Sequence, residues 1–399
     1  MTATAADRYQ ALLSSRAKRG ARPNQSPHGP RFGFASGKPD PGSFPYAELA
    51  EAMSDVMETD GANSLTYGQL YGFDGLRELI AHKYEIFEGL KLSKDNIIIA
   101  NGSGDAIGQV IQTFVDDGDP VICEAPTFSA TIQSFRRVAA DLIGIEMDDQ
   151  GLRTDLVEQK LKELRAAGRQ CKLIYTIDNF QNPGGPTLSE PRRRHLIALA
   201  KEYNVPICED DAYGELRFEG EFVPSLLSMD DSGLVCRTGT LSKILGAGFR
   251  LGWVAASPEL LQYFAGFNFG GGVSPLTSRI ATTYLSKHIE PHVADLVNIY
   301  REKRDAMLDE LQKGIGDTDA EWSKPEGGFF IWVKLPTGCD TKKLTELAAA
   351  SSIGFNMGTA FMPNGGGERH IRLAYSFESP SELREGTRLL CQAIRGAMG

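Results

Sequence analysis

Between residues 96 and 257 the chain repeats one pattern: a short apolar run, a polar or glycine-bearing turn, then a stretch with helical spacing. NIIIAN (96 to 101) leads into GSGDAIGQVIQTF, and DPVICEAP (119 to 126) into TFSATIQSFRRVA. CKLIYTID (171 to 178) leads through a Pro/Gly loop into SEPRRRHLIALAKEY, where Ser189 is expected as an N-cap and Pro191 suits the first turn. VPICEDD (205 to 211), LVCRTG (234 to 239) and RLGWVAAS (250 to 257) are further runs of the same kind. Strands that are apolar throughout are covered on both faces, and helices between them make βαβ units. The pattern therefore predicts an α/β fold with a mostly parallel sheet between helices.

Two helix-like stretches, YAELAEAMSDVMETD and GFDGLRELIAHKYEIF, precede this region. After about residue 276 the rhythm changes to one long helical region, then GGFFIWVKLP, a helix, HIRLAYSF and a last helix, which read as a smaller α+β domain. The expected division is a large domain over 47–285 and a small one over 286–399. Residues 1–46 are expected as an arm and a segment joining the small domain, since chain ends often lie close together. RAKRGARPNQSPHGPRFGF is basic, rich in Pro and Gly and without period, and reads as an arm rather than a folded element.

Charge and composition narrow the partners. A formal charge of −10 over 399 residues argues against nucleic acid or an anionic membrane surface, both of which need a basic face. No run approaches the roughly 20 apolar residues of a membrane span, and the first twenty residues lack the apolar core of a signal peptide. Cys123, Cys208 and Cys236 each fall in an apolar run, so they read as small core residues in a reducing cytoplasm, and no metal site is expected.

Ligands of open parallel sheets lie at the carboxyl ends of the strands. The polar residues there are Ser103, Glu124, Phe128 with its neighbours in EAPTF, Asn182, Asp210, Tyr213 and Lys243. The set holds no His and no Cys–His pair, so neither a triad nor a zinc site is supported. It suits pyridoxal phosphate, which needs a Lys amine for its aldehyde and a carboxylate at its ring nitrogen. It also needs helix N–H groups and an Arg for its phosphate, and an aromatic face for its ring.

FQNP, EDDAYGELRF and the SK…G…RLGW stretch together resemble the fold-type-I pyridoxal-phosphate enzymes of the class I/II aminotransferases. The likeness is to the branch of 2-aminoadipate and kynurenine aminotransferases and of the aminotransferase-like domains of GntR-type regulators. It runs from FASGKPDPGSFP to HIRLAYSF. It implies transamination of an L-α-amino acid with a 2-oxo acid, by a ping-pong mechanism, in a cytoplasmic homodimer. By resemblance, Lys243 forms the Schiff base and moves protons, and Asp210 pairs with the pyridinium, with adjacent Glu209 and Asp211 as competitors. Tyr213 and Asn182 bond the ring O3′, Phe128 stacks, and Ser103, Gly104, Thr240 and Arg250 cup the phosphate. Arg372 binds the substrate carboxylate, Gly37 approaches the substrate, and Tyr67 reaches the partner subunit's phosphate.

Two departures leave the reaction type open to a lyase, decarboxylase, racemase or oxidase. The family's Asn-Pro-Thr-Gly loop is here Asn182-Pro183-Gly184-Gly185, and Asp105 puts a negative charge in the phosphate-binding turn. Two rivals lie outside the family. Gly102, Gly104 and Gly108 followed by Glu124, about 20 residues on, resemble a dinucleotide site; an effector-binding module is the other. Arg16, Lys18, Arg19, Arg22 and Arg31 hint at an acidic partner, though solvated charge is their ordinary role.

Overall fold

The computed structural model describes residues 9, 11–19, 29–268 and 271–398. Its centre is an eight-stranded sheet in the order β2-β9-β8-β7-β6-β3-β4-β5. The strands are β2 (Ile97–Ala100), β3 (Pro120–Ala125), β4 (Asp141–Asp148), β5 (Gly151–Leu152), β6 (Leu173–Thr176), β7 (Ile207–Asp211), β8 (Val235–Thr240) and β9 (Gly252–Ala255). β4, β3, β6, β7 and β8 run parallel to their neighbours in turn. β9 is antiparallel, wedged between β8 and β2. The apolar runs behave as two-sided burial demands: Ile97, Ile98 and Ile99 are fully buried, as are Cys123, Cys208 and Cys236. β4 was not foreseen, because DLIGIEMD is an edge-like strand with exposed residues among its apolar ones.

Ser189 stands at the N-cap of helix Glu190–Tyr203, but its hydroxyl bonds Gln150 and caps nothing. One helix, Pro275–Ile315, runs unbroken past residues 285 and 286 and connects the large sheet's layer to a four-stranded antiparallel sheet. That sheet holds β10 (Glu321–Trp322), β11 (Phe330–Lys334), β13 (Asn356–Met357) and β14 (His370–Ala374), with Trp332 opposite Arg372. The strand β1 (Phe32–Gly33) pairs in parallel with β12 (Ile353–Gly354).

The arm is more ordered than its composition predicts. Ser15–Arg19 forms a short helix, and the Phe32 and Phe34 rings are buried. Burying each ring contributes about 1.5–3 kcal/mol, enough to fix a segment that has no helical or strand period. Arg19 pairs with Asp117 at 3.3 Å and Arg31 with Glu385 at 3.0 Å, so two of the arm's cations already have carboxylates within this chain. Arg22 lies outside the described residues.

Candidate active site at the strand ends

β8 ends at Thr240, and after Leu241 the five residues Ser242–Gly246 make a single π-helical turn carrying Lys243. Thr240 Oγ1 accepts from the Ser242 N–H at 3.1 Å and donates to Leu251 O at 3.1 Å, which fixes the start of that turn. Lys243 is partly buried. Its Nζ donates to Gly37 O at 3.0 Å and stands 5.5 Å from the centre of the Tyr213 ring. Burial and the Arg372 charge lower its pKa to about 8. Amines disfavoured as cations in this way are poised to act as nucleophiles and bases near neutrality.

One strand over, Glu209, Asp210 and Asp211 alternate in direction along β7. Asp210 points to the face that carries Tyr175, whose hydroxyl donates to Asp210 Oδ2 at 2.5 Å; Thr238 Oγ1 lies 3.4 Å from the other oxygen. Burial raises the Asp210 pKa to about 6, against the Tyr175 hydrogen bond. Glu209 and Asp211 point the opposite way. Glu209 accepts the N–H groups of Leu226 and Leu227 at 2.8 and 3.0 Å, and Asp211 pairs with Arg237 at 2.5 Å. Both competitors are therefore occupied elsewhere.

At the end of β2, Gly102 (φ 86°) caps helix Ser103–Phe114. The N–H groups of Ser103 and Gly104 in that first turn have no intrahelical carbonyl to bond, the usual setting for an anion. Arg250 precedes the antiparallel β9 and so returns to the same sheet end. Its Nη2 donates to Asn101 O at 2.8 Å and would lie 2.5 Å from a Cβ at position 102, so only glycine lets it approach. Asp105 Oδ2 accepts the Asn101 N–H at 2.9 Å. Its carboxylate is thus engaged in bracing the loop.

Arg372 comes from β14. Nη1 donates to Asn182 Oδ1 at 2.9 Å and Nη2 to Ala35 O at 2.6 Å. The guanidinium lies 4.1 Å from the centre of the Phe330 ring and 4.6 Å from that of Phe361. Phe330 also explains Gly37, where a Cβ would sit 2.4 Å from its ring. Burial lowers the Arg372 pKa to about 10, and its Nε has no partner.

The structure thus brings Lys243, Asp210, Tyr213, Asn182, Arg372 and Gly37 to one place, with Thr240, Ser103, Gly104 and Arg250 at the neighbouring strand ends. Phe128 stands partly buried at the N-cap of helix Ser129–Arg137. Tyr67 is 87% exposed and meets Gly271 rather than any of these groups. Glu124 makes no dinucleotide site: both its oxygens are buried on Thr176, Ile177, Thr127 and Gln181. Tyr175, Phe330 and Phe361 were not singled out from the sequence, because each reads as core or strand filling.

These residues leave charges that pyridoxal phosphate and its substrate would answer. Among the described residues Asp210 has no cation and Arg372 has no anion within ion-pair distance, while Lys243 is pressed towards its neutral form. A protonated ring nitrogen, a substrate carboxylate and an aldehyde would meet those three needs, so the residues fit the cofactor.

A sequence-family model, aminotransferase class I and II, matches residues 31–384. The chain belongs to that family. It is 36% identical over 368 residues to aromatic-amino-acid aminotransferase 1 of Thermococcus litoralis, covering 92% of this chain and 88% of that protein. It is 31% identical to the 2-aminoadipate transaminase of Thermus thermophilus, over 92% of this chain and 90% of that one. The solved kynurenine aminotransferase of Pyrococcus horikoshii, crystallised with PMP and kynurenine, superposes with a TM-score of 0.92 at 31% identity, covering 99% of this chain and all of that one (100%). The protein is a fold-type-I, pyridoxal-phosphate-dependent aminotransferase.

Proposed function

We propose that this aminotransferase takes an L-α-amino acid, holds its carboxylate on Arg372 and Asn182, and passes the amino group to a 2-oxo acid in a ping-pong cycle at Lys243. The observation that carries these roles is the buried Arg372, which donates to Asn182 at 2.9 Å, acts on Lys243 and has no anion among the described residues. When bound, pyridoxal phosphate supplies an aldehyde for the substrate amine and a ring that draws electrons from Cα. Lys243 would hold the cofactor through its amine and would move a proton between Cα and C4′. Asp210 would keep the ring nitrogen protonated, with Tyr175 orienting Asp210. Tyr213 and Asn182 would hold O3′, Phe128 would cover the ring, and Ser103, Gly104, Thr240 and Arg250 would hold the phosphate. Gly37 and the Phe330 ring close one side and limit water.

Aromatic amino acids and 2-aminoadipate, named for the relatives, are the first substrates to assay. The departures at Gly184 and Asp105 are absorbed locally. The Gly184 N–H bonds Gln181 Oε1, and Asp105 accepts the Asn101 N–H. A cytoplasmic homodimer completes the reading. Helix Tyr46–Ser64 and the loop after it expose Tyr46, Met53, Met57, Leu65, Tyr67 and Leu70, an apolar surface that a second copy would cover and that carries Tyr67 towards the partner's site. No helix among the described residues is long and apolar enough to cross a membrane. We place the domain division at residues 285 and 286, within the long helix, so that the sheet whose end bears Lys243 falls on one side and the segment that bears Arg372 on the other, with residues 29–46 joined to the latter through β1.

The test is a half-reaction. Enzyme mixed with a candidate amino acid and no acceptor should release one equivalent of 2-oxo acid and stop. Adding 2-oxoglutarate should restore the starting spectrum. Continued turnover without acceptor would replace this reading with a lyase, decarboxylase, racemase or oxidase.

A further inference from the structure

Glu124 sits at the end of β3, 1% exposed, with four donors and no cation among the described residues. Thr176 Oγ1 and the Ile177 N–H reach Oε1 at 2.6 and 2.7 Å; Thr127 Oγ1 and Gln181 Nε2 reach Oε2 at 3.0 and 3.2 Å. Thr176 ends β6 and Ile177 follows it, while the other two donors come from separate loops: Thr127 adjoins Phe128, and Gln181 adjoins Asn182. Gln181 extends the clamp, with Nε2 donating to Pro126 O at 2.9 Å and Oε1 accepting the Gly184 N–H at 2.8 Å. A third loop joins through the backbone. The Thr127 N–H donates to Phe361 O at 2.8 Å, and the Phe361 ring lies against the Arg372 guanidinium.

Two neighbours of Arg372, Asn182 from the large-sheet side and Phe361 from the C-terminal segment, are therefore linked to this one carboxylate. Asn182 is tied through Gln181, and Phe361 through Thr127. A Cβ at Gly184 would stand 3.1 Å from Gln181 Oε1, tighter than nine in ten real Cβ contacts, so a side chain there would press on this link. Burying an unpaired carboxylate is costly, and a chain that only needed to pack this space would do better with an apolar residue.

We propose that Glu124 and Gln181 are positioning residues that hold Asn182 and Phe361 in register with Arg372, and so set the affinity of the substrate-carboxylate site. The proposal rests on the reading of Arg372 given above. Neither residue touches substrate. What they supply is a fixed angle for the Asn182 amide and a fixed distance for the Phe361 ring, on which a two-pronged carboxylate contact depends.

The probe is 3-phenylpropionate, a carboxylate with no α-amine, titrated into the cofactor-loaded enzyme and followed by the cofactor absorbance. Glu124→Gln keeps the shape but faces donors with an NH2, and Gln181→Ala removes the link. Each should weaken probe binding by about tenfold or more while cofactor affinity stays within about threefold, the scale expected for misplaced rather than missing contacts. In an Arg372→Lys background the same changes should add little, since coupled residues are not additive. Thr127→Val, which deletes one hydroxyl donor, gives the same comparison if Glu124→Gln does not fold. Wild-type-like probe binding in the variants, or a loss that stays additive with Arg372→Lys, overturns the positioning role. Failure of the wild type to bind any carboxylate overturns instead the assignment of Arg372 itself.

Discussion

Two groups of buried charge lie back to back across β7, and they are built on opposite rules. On one face Arg193 pairs with Asp178 and donates to Asn179 Oδ1 at 2.8 Å, Arg237 holds both Asp211 and Glu88 at 2.5 and 2.6 Å, and Lys83 pairs with Glu215. Charges there are answered within the chain. Burial works against the Asp211 carboxylate, but Arg237 and Lys83 hold it below the ordinary range. On the other face Asp210, Lys243 and Arg372 have no such answer. Burial moves each towards its neutral form: up to about 6, down to about 8 and down to about 10. Neighbouring carboxylates on one strand thus have different jobs. A balanced network supports the fold, and an unbalanced one waits for a ligand.

The sharpest way to break this contrast is Lys243→Ala. It removes both the attachment point and the proton carrier, so turnover should fall by at least about 10³-fold in a folded protein, the scale of lost acid–base catalysis. Rates near wild type would remove the basis for treating the unbalanced face as the active one. Exchanging the acids comes next. Asp211→Ala should cost stability, up to about 3–5 kcal/mol with Glu88 left to offset part of it, because it strips a partner from buried Arg237. Asp210→Ala should cost roughly 10²-fold in rate with little loss of melting temperature, since the carboxylate has no cation to leave behind. Thermal melts of the apo-proteins beside kcat decide the matter; an inactive but stable Asp211→Ala would mean that the faces are misassigned.

A pH series sharpens the same contrast. With its pKa near 8, Lys243 offers more neutral amine as pH rises, and the gain ends above about 8 rather than near the 10.5 of an ordinary lysine. Capture of cofactor by apo-protein should therefore speed up from pH 6 to about 8 and then level off. A rate still climbing in proportion to hydroxide beyond pH 9 would show a solvated lysine. The smallest effect is expected at the exposed edge. Tyr67→Phe should weaken cofactor binding by about tenfold or less, one hydrogen bond's worth. At limiting cofactor, where Tyr67→Phe is itself severely impaired, mixing that variant with Lys243→Ala and reassembling should raise activity above either parent if Tyr67 acts across subunits; sedimentation as an active monomer would end that idea.

Much of this was open to reading in the chain. Unbroken apolar runs such as NIIIAN and DPVICEAP, each followed by a helical stretch, read as strands covered on both faces, so a mostly parallel sheet follows from burial and the strand–helix rhythm, although NIIIAN itself meets only the antiparallel β9. The lysine turn and its arginine stand out because cations among glycines have no packing use. Phe32 and Phe34 escaped notice because burial by partners more than 300 residues away leaves no local period; Phe32 faces Ile353. The same limit hid the purpose of Glu124, whose donors Thr176 and Gln181 are 52 and 57 residues off in sequence. Sequence by itself determined the sheet, the family and the residue types gathered at the strand ends, since those depend on local pattern and on chemistry that few residues can do. Only the tertiary structure decided that Asp210 faces Tyr175 while Glu209 and Asp211 face away, and that Arg372 is left without an anion. Direction along a strand depends on register, and whether a charge is answered depends on what the rest of the chain brings beside it.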